Sequence, residues 1–270
     1  MSQAKSAPRI PVEALKSARL EAALEQAIAH DRTDDLFDLL ARASGLPGPR
    51  ANLDLARAMG LSIAAHRGRA DALLRRMIAT DQEFVRLIAA VALGARSIAG
   101  LDTKTALAGL QELAGDARHS VRSGVVLALR LRITALGEAA VDELAAWTDG
   151  YLQAHVALEA LAERSILDPL PAAAPVLTRL NEAFALADLS KRADERLQGV
   201  RTLRAGLPKQ IVTFAARFPD VIGWVESAAA MKRPETREVV AETIRLLRKA
   251  NLSDAEAKRL DALMTASAKP

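Results

Sequence analysis

Apolar residues recur along most of this chain at the three- and four-residue spacing of amphipathic helices. No stretch alternates apolar and polar positions for long enough to predict a strand. The pattern therefore predicts a succession of helices joined by short turns. Helices are expected near residues 11–30, 34–44, 53–67, 69–79, 84–96, 104–114, 120–136, 138–148, 152–164, 170–186, 191–206, 209–218, 221–231 and 234–250, with a last one starting at 253.

Capping residues and prolines mark the predicted helix boundaries. Thr33 and Asn52 directly precede apolar-periodic segments, so each is expected to cap a helix N-terminus. Ser253 and Glu256 have the spacing of a capping box. Because a proline within a helix removes a backbone hydrogen bond, the prolines of the second half are expected at or near helix starts; these are Pro169, Pro171, Pro175, Pro208, Pro219 and Pro234.

Two segments of the chain carry the same motif. TDQEFVRLIAAVALG (80–94) is matched by DARHSVRSGVVLALR (116–130), with Val85-Arg86 recurring as Val121-Arg122 after 36 positions. Weaker copies follow near Ala154, Arg196 and Arg237. A period of this length predicts a helical repeat array, in which each helix pair buries its apolar face against its neighbours.

The D-x-x-x-V-R-x-x-A-x-x-A-L-G pattern resembles HEAT or HEAT-like repeats over about residues 50–250. The resemblance implies an all-α fold: a right-handed α-solenoid of about six HEAT-like helix pairs with terminal capping helices. The whole chain, 1–270, is expected to form one domain, with 1–10 unordered, 11–50 and 251–270 as caps. Second helices starting near 84, 120, 152, 192 and 234 are expected to line its inner surface.

The resemblance also implies a structural role for particular charged residues. In HEAT-like repeats a turn aspartate and an arginine at the start of the second helix form a ladder between repeats. Asp81 with Arg86 and Asp116 with Arg122 match that pattern, and Asp149 keeps the aspartate where the arginine is lost. A bidentate contact with a carboxylate explains arginine rather than lysine at these positions.

Composition and charge limit the chemistry and the cellular location expected of the protein. The chain has no cysteine, which excludes disulfides and thiolate chemistry. The start of the sequence lacks the apolar core of a signal peptide, and no apolar run is long enough to span a bilayer, so a cytoplasmic protein without a membrane partner is expected. Residues 105–190 hold six basic and eleven acidic side chains, whereas residues 191–270 hold sixteen basic and ten acidic ones.

The sequence contains no recognisable catalytic motif. The four histidines lack metal-ligand spacing, and phosphate-binding and nucleophile motifs are absent. We therefore expect no catalytic residue, no metal and no cofactor. The leading interpretation is a non-enzymatic scaffold or adaptor that binds a protein or peptide along the concave face of the array.

The basic C-terminal third supports an alternative interpretation, nucleic-acid binding. Arg237, Arg245 and Arg248 fall on one side of a predicted helix, with Arg192, Arg196 and Arg204 nearby in the sequence; all six are candidates for partner binding, to phosphates or to an acidic protein. Some HEAT-like proteins are alkylpurine DNA glycosylases, and the cluster that suggests this activity is Trp147, Asp149 and Tyr151. Trp147 is, however, expected to pack into the core. Bilin attachment, known from other HEAT-like proteins, is a third possibility by fold analogy alone.

Overall fold

The computed structural model of the chain describes residues 12–48, 50–250 and 253–267. These residues form fifteen α-helices and three short 3-10 helices, and contain no strand. The predicted all-α class is therefore confirmed. The prediction that residues 1–10 are unordered lies outside the described residues.

The helices follow one another with short connections. They are α1 (Val12–His30), α2 (Asp34–Ala43), α3 (Leu53–Ala65), α4 (Asp71–Ala79), α5 (Glu83–Ile98), α6 (Thr103–Ala114), α7 (His119–Leu136), α8 (Glu138–Asp142), α9 (Tyr151–Leu161), α10 (Arg164–Leu167), α11 (Ala174–Asp188), α12 (Gln198–Arg217), α13 (Asp220–Ala229), α14 (Pro234–Lys249) and α15 (Asp254–Ala266). The 3-10 helices are Arg67–Ala70, Glu143–Asp149 and Asp194–Arg196.

Two of the three predicted caps are confirmed. The Asn52 side chain accepts a hydrogen bond of 3.1 Å from the backbone N–H of Leu55. Ser253 and Glu256 form both bonds of the capping box. The Thr33 prediction is wrong: α2 begins after it, but the Thr33 backbone is itself near helical (φ −92°, ψ −20°) and its side chain makes no capping bond. An N-cap side chain reaches the first turn from a non-helical backbone, which Thr33 lacks.

The largest departure from the predicted helices concerns α12. Pro175, Pro219 and Pro234 lie at helix starts as predicted, but Pro208 lies inside α12, which runs without a break from Gln198 to Arg217. The proline removes one backbone hydrogen bond. Because Leu207, Pro208 and Gln210 are all buried on the same stretch, packing of the continuous helix offsets that loss.

Six helices contact one another in series. α3 packs on α5, α5 on α7, α7 on α9, α9 on α12 and α12 on α14. These are the five predicted second helices together with α3, and all six are called the second helices below. The remaining helices lie beside this series, with α4 and α6 on α5, α11 on α9 and α12, and α13 on α12 and α14. One cluster of buried apolar side chains extends from Leu24 to Leu260.

The tightest part of the series is the contact between α5 and α7. Every residue of α5 from Leu87 to Gly94 is buried, as expected for a helix that is apolar all round. A Cβ atom at Gly124 of α7 would lie only 2.6 Å from the carbonyl oxygen of Leu87. The absence of a side chain at Gly124 therefore allows the two helix backbones to touch.

Candidate functional site

Asp116, in the turn before α7, joins two consecutive second helices. Its carboxylate accepts hydrogen bonds of 2.9 Å and 2.7 Å from Nε and Nη2 of Arg118, and lies 3.4 Å from Nε of Arg86 on α5. Arg118 also donates to the carbonyl of Asp81, at 2.7 Å. The hydrogen bond from Arg118 lowers the pKa of Asp116, so this carboxylate is charged at neutral pH. These contacts fix the start of α7 against the turn that precedes α5.

The motif residues contact one another between neighbouring turns, as expected for a ladder between repeats, but Arg122 contacts carbonyls rather than a carboxylate. Arg86 contacts Asp116 of the following turn, and Asp81 contributes its carbonyl rather than its carboxylate. Arg122 donates from Nη1 to the carbonyls of Asp116 (2.7 Å) and Ala117. Asp149 is exposed and, within the described chain, its side chain makes no hydrogen bond or ion pair. Because neighbouring turns lie side by side, sequence spacing alone does not decide which arginine reaches which carboxylate.

A second charged junction, around Glu195, was not predicted. Its carboxylate accepts hydrogen bonds from Arg204 on α12, from Ser190 (3.0 Å) and from Arg233 before α14 (2.7 Å). These interactions lower the pKa of Glu195, with Arg204 as the main cause. The junction holds the segment 189–197, in which only Asp194–Arg196 is helical, as a short 3-10 helix, and α12 begins at Gln198 rather than near 192.

Four of the six arginines predicted to bind a partner are engaged within the protein. Arg204 belongs to the Glu195 junction. Arg237 donates to the carbonyl of Met264 (2.7 Å) and to Ser267, which tethers α14 to α15. The other engaged pairs are Arg245 with Glu242 and Arg248 with Asp261. Arg192 and Arg196 are exposed and form no hydrogen bond or ion pair with any described residue.

A cleft of about 230 Å³ lies between α7, α9 and the start of α3. Part of its lining is apolar and part polar, and three different helices contribute. The apolar lining residues are Leu53, Val126, Leu127 and Val156; the polar ones are His119, Arg122, Ser123, Arg130, His155 and Glu159. The cleft therefore offers both an apolar contact surface and several hydrogen-bonding groups to a ligand.

The polar side of the cleft is organised by α12. Gln210, almost fully buried, donates from Nε2 to Glu159 (3.0 Å), and the same nitrogen lies 3.4 Å from Nδ1 of His155. The close approach of α12 depends on Gly206, where a Cβ atom would lie 2.5 Å from that Nδ1. Burial lowers the pKa of His155; the charge of Glu159 opposes this shift, and Arg122 and His119 add to it. His155 is therefore neutral at pH 7.

Comparison of the chain with protein-family models, with curated proteins and with solved structures gave no match in any of the three.

A second groove lies between α11 and α13. It contains Trp224, whose Nε1 donates to Asn181 (2.6 Å) and whose ring stacks edge-to-face on Phe184. Leu189 and Met231 at its border are exposed. The groove is more apolar than the cleft at α7 and α9, and its indole N–H is already satisfied.

The remaining sequence predictions concern base stacking by Trp147, metal binding and membrane spans. Trp147 is buried, as expected, and is therefore unable to stack on a base. Within the described ranges, no three His, Asp or Glu side chains come together as a possible metal site. None of the helices in those ranges is both long and apolar enough to cross a bilayer.

Proposed function

We propose that this chain is a non-enzymatic scaffold that binds an extended peptide segment of a partner protein along its second helices, anchored at the cleft between α7 and α9. The cleft is the observation that carries the proposal. Its volume, about 230 Å³, is below the roughly 300–1,000 Å³ of typical small-molecule sites. It suits one or two side chains of a peptide better than a whole cofactor.

The proposal includes the architecture implied by the repeat motif. Residues 1–270 would form one domain in which about six HEAT-like pairs stack as a right-handed solenoid. The serial contacts of α3, α5, α7, α9, α12 and α14 support this arrangement. In such an array the second helices line the inner face, and the α7–α9 cleft would lie near its middle.

Rigidity is the physical advantage of this surface. The Asp116 and Glu195 junctions each bind several arginines and thereby fix the turns before α7, α12 and α14. A surface that is already ordered avoids part of the entropy cost of association. The partner then contributes most of the ordering cost itself.

Nucleic-acid binding is less well supported by the same contacts. Arg204, Arg237, Arg245 and Arg248 already have acidic or carbonyl partners. These partners already offset part of the positive charge that would attract phosphates, and the burial of Trp147 leaves its ring unable to stack on a base. Gel shifts at low ionic strength test this alternative, and we expect no binding that weakens steeply with salt.

A random-peptide display selection on the full chain tests the scaffold proposal. We expect selected peptides to converge on a common motif and to lose binding when Ser123→Trp fills the cleft. Ser227→Trp is the matched control, because both serines lie on a helix and both hydroxyls bond a carbonyl four residues earlier, His119 and Gly223 respectively. Ser227 lies in the Trp224 groove instead.

The two variants separate the possible outcomes. Loss of binding in Ser123→Trp alone supports the cleft. Loss in Ser227→Trp alone would move the binding surface to the Trp224 groove and contradict the proposal. Peptides without a common motif would refute a specific peptide-binding function.

A further inference from the structure

Arg122 differs from the other buried arginines in its partners. Three arginines are buried among the described residues: Arg122, Arg132 and Arg179. Arg132 pairs with Glu143, and Arg179 lies 2.9 Å from Glu182. Arg122 has no described carboxylate within ion-pair distance; Asp116, which attracts it electrostatically, is held by Arg118 and Arg86. A buried charge without a directly paired opposite charge is unfavourable and is therefore a feature to explain.

One edge of the Arg122 guanidinium has no hydrogen-bond partner among the described residues. Nη1 is used by the two backbone carbonyls of the turn before α7. Nε is buried without a hydrogen-bond partner, and Nη2 makes no hydrogen bond with the described residues. Nε–H and the adjacent Nη2–H are parallel donors, which is the geometry that binds both oxygens of a carboxylate.

Arg130, the other arginine of the cleft, differs from Arg122 in that its guanidinium has partners on the corresponding edge. Its Nε donates to the carbonyl of Ala160 (3.3 Å) and its Nη2 to that of Glu159 (2.8 Å). Its Nη1 lies 3.6 Å from the carboxylate of Glu163. The same edge that is free on Arg122 is therefore occupied on Arg130.

We infer that the cleft is a binding site for a carboxylate group of the peptide partner, held by the Nε–Nη2 edge of Arg122 and flanked by an apolar side chain of the same peptide. This inference rests on the proposed function, because it specifies the chemistry of that peptide. The apolar neighbour would contact Leu53, Val126 and Leu127. A carboxylate is favoured over a phosphate because Glu159 lines the same cleft and its negative charge repels a dianion more strongly.

The test is a nuclear magnetic resonance titration of the full chain with two isosteric peptides, N-acetyl-Leu-Asp-Val-amide and N-acetyl-Leu-Asn-Val-amide. We expect the Asp peptide to shift the Nε–H signal of Arg122 and the ring signals of His155, and the Asn peptide to bind at least about tenfold more weakly. The Nε–H signal of Arg118, already bonded to Asp116, is the internal reference. N-acetyl-Leu-Asn-Val with a free C-terminus distinguishes a terminal carboxylate from a side-chain one.

Two variants locate the effect. Arg122→Gln is expected to abolish the preference for the Asp peptide, whereas Arg130→Gln is expected to reduce affinity less because its edge is already occupied. The comparison of the two peptides on the unaltered chain needs no variant, so the test stands even if Arg122→Gln does not fold.

Several outcomes would overturn the inference. Equal binding of the Asp and Asn peptides would do so while leaving the scaffold proposal intact. If neither short peptide binds but peptides from the display selection do, the inference about the carboxylate fails and the scaffold proposal is again unaffected. If no peptide of any kind binds, both proposals fail. Tighter binding of inorganic phosphate than of the Asp peptide would assign the site to a phosphate group.

Discussion

The contact between α5 and α7 leads to a prediction at Gly124. A methyl group added there would lie 2.6 Å from the carbonyl oxygen of Leu87 and 2.9 Å from its Cα atom. Both are backbone atoms in the middle of a buried helix and cannot rotate away. Gly124→Ala must therefore push α5 and α7 apart and disturb the series of second helices at its tightest point.

The magnitude follows from two opposing effects. Forcing an extra methyl group into a packed interior costs about 1–3 kcal/mol. Replacing glycine by alanine within a helix contributes about 0.5–1 kcal/mol in the favourable direction. The net expectation is a loss of up to about 2.5 kcal/mol in the free energy of unfolding.

Gly223 on α13 provides the matched control. It is exposed, and a Cβ atom there would meet nothing within 4 Å. Gly223→Ala keeps only the favourable effect and should stabilise the protein by about 0.5–1 kcal/mol. Urea denaturation followed by circular dichroism measures both variants against the parent chain. If Gly124→Ala is as stabilising as Gly223→Ala, the backbones of α5 and α7 do not touch at this position and the packing described here is wrong.

Two pH-dependent predictions concern the junction and the cleft. Arg118 lowers the pKa of Asp116 below its ordinary 3.8, so Asp116→Asn should reduce the free energy of unfolding by about 1–3 kcal/mol at neutral pH. The difference in Tm between the variant and the parent chain should become smaller as the pH falls through the lowered pKa. A difference in Tm that does not change with pH would contradict the pairing of Asp116 with Arg118. Burial lowers the pKa of His155 below its ordinary 6.5. The contribution of neutral His155 to the stability of the fold is therefore fully present above pH 6.5 and is lost as the pH falls towards the lowered pKa. His155→Gln should therefore show a smaller fall in Tm between about pH 7.5 and 5.5, and equal falls in both proteins would refute this assignment.

Much of the local structure was predictable from the chain itself. The starts of α5, α7, α9 and α14 fall within one residue of the predicted ones, at 83, 119, 151 and 234. Their periodic apolar positions and preceding turn residues are local signals. The start of α12 was not predictable in this way, because the loop before it is held by Arg233, which is 38 residues from Glu195 in sequence.

The cleft was only partly predictable. The repeat motif drew attention to Arg122, but as a partner of Asp116, which is the carboxylate nearest in sequence. Arg118 and Arg86 bind that carboxylate instead. Which arginine is left without a counter-charge depends on how three turns lie beside one another, and the order of residue types does not contain that information. Gln210 was missed for a related reason, because its contact with Glu159 joins positions 51 residues apart.

The most direct test of the scaffold function is amide hydrogen exchange of the full chain with and without a peptide from the display selection. The proposal predicts that the added protection is concentrated in α7, α9 and the part of α12 that carries Gln210, and that α11 and α13, which line the Trp224 groove, are unchanged. Protection confined to α11 and α13, or spread evenly over the chain, would contradict peptide binding along the second helices.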